Sequence, residues 1–181
     1  LAVLVLAGAA GASEAAAAPA AALGATYLAT PPATLGAGTV TSVSVALTNT
    51  GDEAWSGAGA TPVNLSYHWY DATGAVAVWN GARAPIGVDV APAAARTVPI
   101  AVTAPAAPGA YTLRFALVKE GVAWMAPGPA HAVAVVAAYQ ARLGAVAPPS
   151  FVATGSYTVA VPVTNAGIAA WNAAGPNPVA L

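Results

Sequence analysis

The sequence predicts an all-β protein, an immunoglobulin-like antiparallel β-sandwich with one complete repeat and a truncated second copy. Three observations carry this expectation. Apolar residues recur with a period of two, turn-forming residues punctuate the chain every 8 to 12 positions, and a segment near residue 50 returns 116 positions later.

The strands follow from the alternation. Val43, Val45 and Leu47 alternate with Ser44, Ala46 and Thr48, and Val63, Leu65, Tyr67 and Trp69 alternate with Asn64, Ser66, His68 and Tyr70. The pattern returns at Val98, Ile100 and Val102, at Tyr111, Leu113, Phe115 and Leu117, and at Val133 with Val135. Successive side chains of a strand point to opposite faces, so each segment reads as a half-buried strand. Turns fall between them at Asn49-Thr50-Gly51, Asp71-Ala72-Thr73-Gly74, Asn80-Gly81, Pro108-Gly109 and Pro127-Gly128. With 16 Pro and 18 Gly in 181 residues, a helix of ordinary length has no room. About seven short strands in roughly 110 residues fit an immunoglobulin-like sandwich, here without a disulfide because no cysteine is present.

The repeat aligns Val43–Leu65 with Val159–Leu181, and 12 of the 23 paired positions are identical. Composition bias accounts for the Ala and some Val matches, since the chain holds 53 Ala and 23 Val. It does not account for Asn-x-Gly-x-x-x-Trp followed by Gly-x-x-Pro-Val-x-Leu. The expected organisation is a leader over 1–24, a first unit over 25–136 and the beginning of a second over 137–181. The leader expectation rests on Leu1–Ala12, an uncharged apolar stretch followed by Ser13, Glu14 and an Ala/Pro tract, which has the character of a signal-peptide core. Glu14 and Pro19 interrupt it before it reaches the length of a membrane span. Secretion or display at a cell surface is the localisation this implies.

Charge narrows function by exclusion. Five Lys and Arg and six Asp and Glu make up 6% of the chain, against about 25% in an ordinary domain. Nucleic acid is not an expected partner, because a duplex binder commits about 6 to 10 cationic contacts. Cys-based metal sites and thiol nucleophiles are excluded by composition. His68 and His131 alone do not make a zinc site, so no cofactor or metal is expected. Catalysis finds no constellation: Asp52 and Glu53 are adjacent and would point apart in a strand, and Ser66-x-His68 lacks a third member. Arg83, Asp89, Arg114 and Glu120 are expected to pair across neighbouring strands.

Asn49, Gly51 and Trp55, the Tyr67-His68-Trp69 strand, Val90-Ala91-Pro92, Pro108-Gly109-x-Tyr111 and Glu120-Gly121-Val122-x-Trp124 together resemble a bacterial secreted immunoglobulin-like repeat. That repeat is similar to the four-tryptophan domain of autophagy cargo receptors. The second copy carries Asn165, Gly167 and Trp171 at the matching places. The resemblance implies a non-catalytic module joined to further modules or to enzymes acting on cell walls or glycans. Trp69 is expected in the core, and Trp55 and Trp171 over one end of the sandwich. Trp79 and Trp124 stay open between packing and ligand stacking. His68 and Tyr70 are expected on an exposed face, and with Trp79 they are the candidate ligand-binding residues.

The functional expectation is therefore a non-catalytic spacer, adhesion or ligand-presenting module of an exported protein. Its partners would be polysaccharide or other surface proteins. The alternative is an accessory or carbohydrate-binding module of a cell-wall or glycan-active enzyme whose catalytic domain lies beyond residue 181.

Overall fold

The structure, a computed structural model, describes residues 22–146, 150 and 154–172. It is all-β among the described residues, and the chain is an immunoglobulin-like β-sandwich. Three strands form one layer: β1 (Ala25–Ala29), β3 (Val40–Asn49) and β7 (Ala95–Thr103), in the order β1-β3-β7. The opposing layer has the order β2-β10-β8-β4-β5 and is built from β2 (Thr34–Gly36), β10 (His131–Val136), β8 (Gly109–Lys119), β4 (Val63–Asp71) and β5 (Val76–Val78). The short strands β6 (Ala84–Pro85) and β9 (Ala123–Trp124) attach to β4 and β8. A separate ladder joins β11 (Ala141–Leu143) to β12 (Val163–Asn165).

The period-two residues fill the space between the layers. Val43, Val45, Leu47, Val98, Ile100 and Val102 face Val63, Leu65, Trp69, Leu113, Phe115 and Leu117 across it, and all are buried. Three hydrogen bonds stitch the layers together. The Trp69 indole donates to Thr103 O at 2.9 Å, Thr103 N donates to the Tyr67 hydroxyl at 3.0 Å, and Leu117 N donates to the Tyr27 hydroxyl at 3.0 Å. Each lets a large aromatic enter the core without stranding its polar end, which would otherwise cost about 1–3 kcal/mol.

The three-stranded layer ends in the edge strand β7, where Pro99 sits opposite Ser44. Proline has no N–H to offer a further strand, so it is compatible with an edge and blunts pairing with another chain. At the start of β8 the Tyr111 hydroxyl donates back to Ala107 O at 3.0 Å across Pro108 and Gly109, and the Tyr111 ring meets Trp69 edge-on at 6.1 Å. The Pro108-Gly109-x-Tyr111 motif is thus a corner that fixes where β8 begins.

One expectation is corrected by the packing. Trp55 does not cover an end of the sandwich: it is fully buried in the core and pairs with Val90 through an isolated bridge. Its bridge partner Val90, and Ile86 of the same core, lie in a stretch without period-two alternation, so the sequence pattern did not mark them as core. Trp171 is half-buried. Residues 1–21 of the expected leader, and the Gly-x-x-Pro-Val-x-Leu part of the second copy from 173 onward, lie outside the described residues.

Candidate functional site

β4 carries large side chains on both of its faces. Its inward face holds Val63, Leu65, Tyr67 and Trp69, while Asn64, Ser66, His68 and Tyr70 look out of the sandwich. His68 and Tyr70 of the outward row were expected to be exposed, and the structure corrects this for His68. His68 is fully buried, because the chain after β5 folds back across it. The Trp79 ring stacks on the imidazole with centroids 4.0 Å and planes 15° apart, and Trp124 on β9 packs beside it with its ring centroid 4.6 Å from the imidazole and tilted by 55°. Trp79 and Trp124 meet each other edge-on at 5.8 Å, and Trp79 remains 42% exposed.

His68 Nδ1 contacts Trp79 O, a carbonyl that can only accept, so Nδ1 carries a proton directed at it. Nε2 is buried and has no hydrogen-bond partner. Burial lowers the His68 pKa below its ordinary value, the Trp79 carbonyl opposes that shift, and the Arg83 charge lowers it further. A buried histidine fixed in this way holds the 79–83 segment onto β4. It is not placed as a surface ligand.

Arg83 completes the cap. Its guanidinium lies 4.6 Å over the Trp124 ring, Nε binds Glu120 Oε1 at 2.9 Å, and Nη1 donates to Ser66 Oγ at 2.9 Å and to Gly81 O at 3.0 Å. Asn64 donates to the same Glu120 oxygen at 2.9 Å, and these contacts hold the Glu120 carboxyl below the usual range. Of the four residues expected to pair, Arg83 and Glu120 do so. Asp89 instead accepts from Gly57 N at 2.8 Å, and Arg114 donates to Gly128 O at 3.2 Å. A second ion pair, Lys119 with Glu53, was not anticipated.

The repeated Asn-x-Gly motif has one geometry at both places. Asn49, fully buried, donates to Glu53 O at 2.9 Å and Val90 O at 3.0 Å and accepts from Gly51 N at 3.0 Å. Asn165 donates to Ala169 O at 2.8 Å and accepts from Gly167 N at 3.0 Å. Only glycine fits at the third position. A Cβ on Gly51 would lie 2.2 Å from Ala22 O, and one on Gly167 would lie 2.5 Å from Ala138 O.

Tyr70, at the open end of the outward row, is half-buried and borders a shallow depression of about 380 Å³ with Gly74, Thr112, Arg114 and Pro127. The three candidate ligand residues therefore separate: His68 is inside, Trp79 caps it, and Tyr70 faces solvent with partners that were not singled out. Thr112 and Arg114 could have been placed beside it, because the alternation of β8 turns them outward with Tyr70. Among the described residues no group of three or more His, Cys, Asp or Glu is placed to hold a metal ion. Among those residues, too, no helix is long and apolar enough to cross a membrane.

No protein-family model matches the chain, and no curated protein matches it significantly. Among solved structures it is similar to the CARDB domain of a Pyrococcus furiosus protein, solved in complex with di-metal ions. That likeness has 14% identity and a TM-score of 0.38, over 65% of this chain and 94% of that one. It is also similar to a Pseudomonas fluorescens alkylpurine DNA glycosylase solved on DNA with an abasic-site analogue. There the identity is 13% and the TM-score 0.38, over 63% of this chain and 29% of that one.

Proposed function

We propose that the chain is a non-catalytic immunoglobulin-like spacer of an exported, cell-surface or secreted protein, built to carry tension along a series of such units. One observation carries this reading. β2 and β10, near the two ends of the 25–136 unit, lie side by side and parallel, pairing Thr34 with Ala134, Leu35 with Val135 and Gly36 with Val136. The ladder is extended by Ala134 N to Ala33 O at 2.9 Å and Ala37 N to Val136 O at 2.8 Å.

Because the strands are parallel, a pull on the chain before β2 and after β10 acts along their axes in opposite directions. It loads all of these hydrogen bonds together rather than one after another. Forced unfolding is governed by the unfolding barrier, and loading the bonds together raises the force needed to cross it.

The spacing of the second copy supports a series. β1 pairs β3 with Ala25 opposite Asn49, and β11 pairs β12 with Ala141 opposite Asn165, so both partners are displaced by 116 residues. The hydrogen bond from Thr50 N to Gly24 O returns at the same offset as Ala166 N to Gln140 O. The apolar Leu1–Ala12 stretch supports export.

The test is single-molecule pulling on the full chain in two directions. Since the chain has no cysteine, handles can be placed on engineered pairs alone. Thr30→Cys with Tyr139→Cys shears β2 against β10, and Ala107→Cys with Tyr139→Cys peels β10 from β8, its antiparallel neighbour. The shear direction is expected to unfold at a force several times higher. Equal forces would remove the basis for a tension-bearing spacer.

A further inference from the structure

We propose that the depression between Tyr70 and Arg114 binds a carboxylate-bearing sugar unit of an acidic polysaccharide. The inference goes beyond the spacer reading and does not depend on it.

The starting point is an uncompensated cation. Arg114 is half-buried on the outward face of β8, and among the described residues its guanidinium makes one hydrogen bond, to Gly128 O at 3.2 Å. The ion pairs among the described residues are Arg83 with Glu120 and Lys119 with Glu53, so no carboxylate neutralises Arg114. The group directly opposite it on β4 is His68, an imidazole that offers no negative charge. Asp71, next along β4, has its carboxylate engaged by its own turn, accepting from Thr73 N at 2.8 Å and Ala75 N at 3.0 Å. A partly desolvated guanidinium with free donors and no counter-charge is a site for an anion.

The surroundings decide which anion. Tyr70 stands opposite Thr112 in the ladder, so a phenol ring and a hydroxyl flank the guanidinium, and Pro127 and Gly74 complete the lining. An aromatic wall accepts the C–H face of a pyranose, the hydroxyl serves its ring hydroxyls, and the guanidinium takes one carboxylate as a fork. A single cation matches one negative charge per sugar. A densely charged polyanion would call for a cluster of cations, which a chain with five Lys and Arg does not provide.

The experiment is an amide NMR titration of the full chain with tri-galacturonate, with neutral tri-galactose and with a Glu-rich peptide as separate ligands. The expected result is saturable binding of the uronate with shifts centred on Tyr70, Thr112 and Arg114. The neutral sugar and the peptide should each bind at least tenfold more weakly. Arg114→Gln should weaken uronate binding at least tenfold, and Arg114→Lys, which keeps the charge without the fork, should fall between. The wild-type shift map stands independently of whether Arg114→Gln folds. Equal affinity for the neutral sugar, tighter binding of the peptide, shifts centred elsewhere, or no saturable binding of uronate would each overturn the proposal.

Discussion

His68 lies beneath Trp79 with the two ring planes 15° apart, and the ring nitrogen on the far side of the proton-bearing Nδ1 is buried without a partner. This pair turns what reads as an outward polar residue into the floor of a small aromatic core outside the main one. Its consequence is acid sensitivity. The His68 pKa lies below 6.5 in the folded chain, through burial first, and that of His131 is lowered by burial as well. Below about pH 6.5 the unfolded chain binds protons that the folded chain refuses, so stability rises with pH through this window. The contribution is complete above the unfolded value and is lost as pH falls toward the folded one. Urea midpoints measured from pH 8 to pH 5 should decline below neutrality, and His68→Gln should flatten the decline to the part due to His131. An unchanged slope in that variant would remove His68 from the account.

Tyr27 gives the opposite sign at the alkaline end. Burial pushes its hydroxyl from 10.0 up to about 12, against the hydrogen bond from Leu117 N. Its protonated state therefore stabilises the fold fully below about pH 10, and that contribution is lost as pH rises through 12. That difference amounts to about 2–3 kcal/mol. Tyr27→Phe should lose this alkaline sensitivity while costing about 1–3 kcal/mol at neutral pH, because Leu117 N is left unsatisfied. Thermal melts of both proteins across pH 7–11 check it.

Asn49 is placed where no other side chain serves. Asn49→Asp keeps the acceptor for Gly51 N but sets a buried carboxylate against the carbonyls of Glu53 and Val90. A loss of at least about 3 kcal/mol is expected, more than for Asn49→Ala. Equilibrium unfolding followed by tryptophan fluorescence measures both, and the reverse order would refute the assignment.

Ala93 occupies a left-handed conformation, φ 63°, in the Ala91–Ala94 turn that returns the chain into β7, where Ala94 N bonds Ala91 O at 3.0 Å. A Cβ costs about 1–2 kcal/mol there, more than the added chain entropy of glycine. Ala93→Gly should therefore stabilise the protein by up to about 1 kcal/mol, read as a higher melting temperature.

The sequence by itself determined the all-β class, the placement of the five main strands and the inward set of Val, Leu and Trp69. A side chain's face in a strand follows from its parity, a local property. The Asn-x-Gly turns at 49 and 165 were legible for the same reason, since the hydrogen bonds the two turns share close within four residues, whereas the bond from Asn49 to Val90 O does not.

Only the tertiary structure decided the rest. Parity sends His68 outward correctly, but whether outward means exposed depends on the path of the 79–83 segment and on Trp124, which arrives from 56 residues further on. Trp55 reaches the core because Val90 crosses to meet it, Glu120 meets Arg83 across 37 residues of chain, and no carboxylate among the described residues reaches Arg114. Burial and charge pairing are set by which distant segments meet, and period-two alternation carries no information about that.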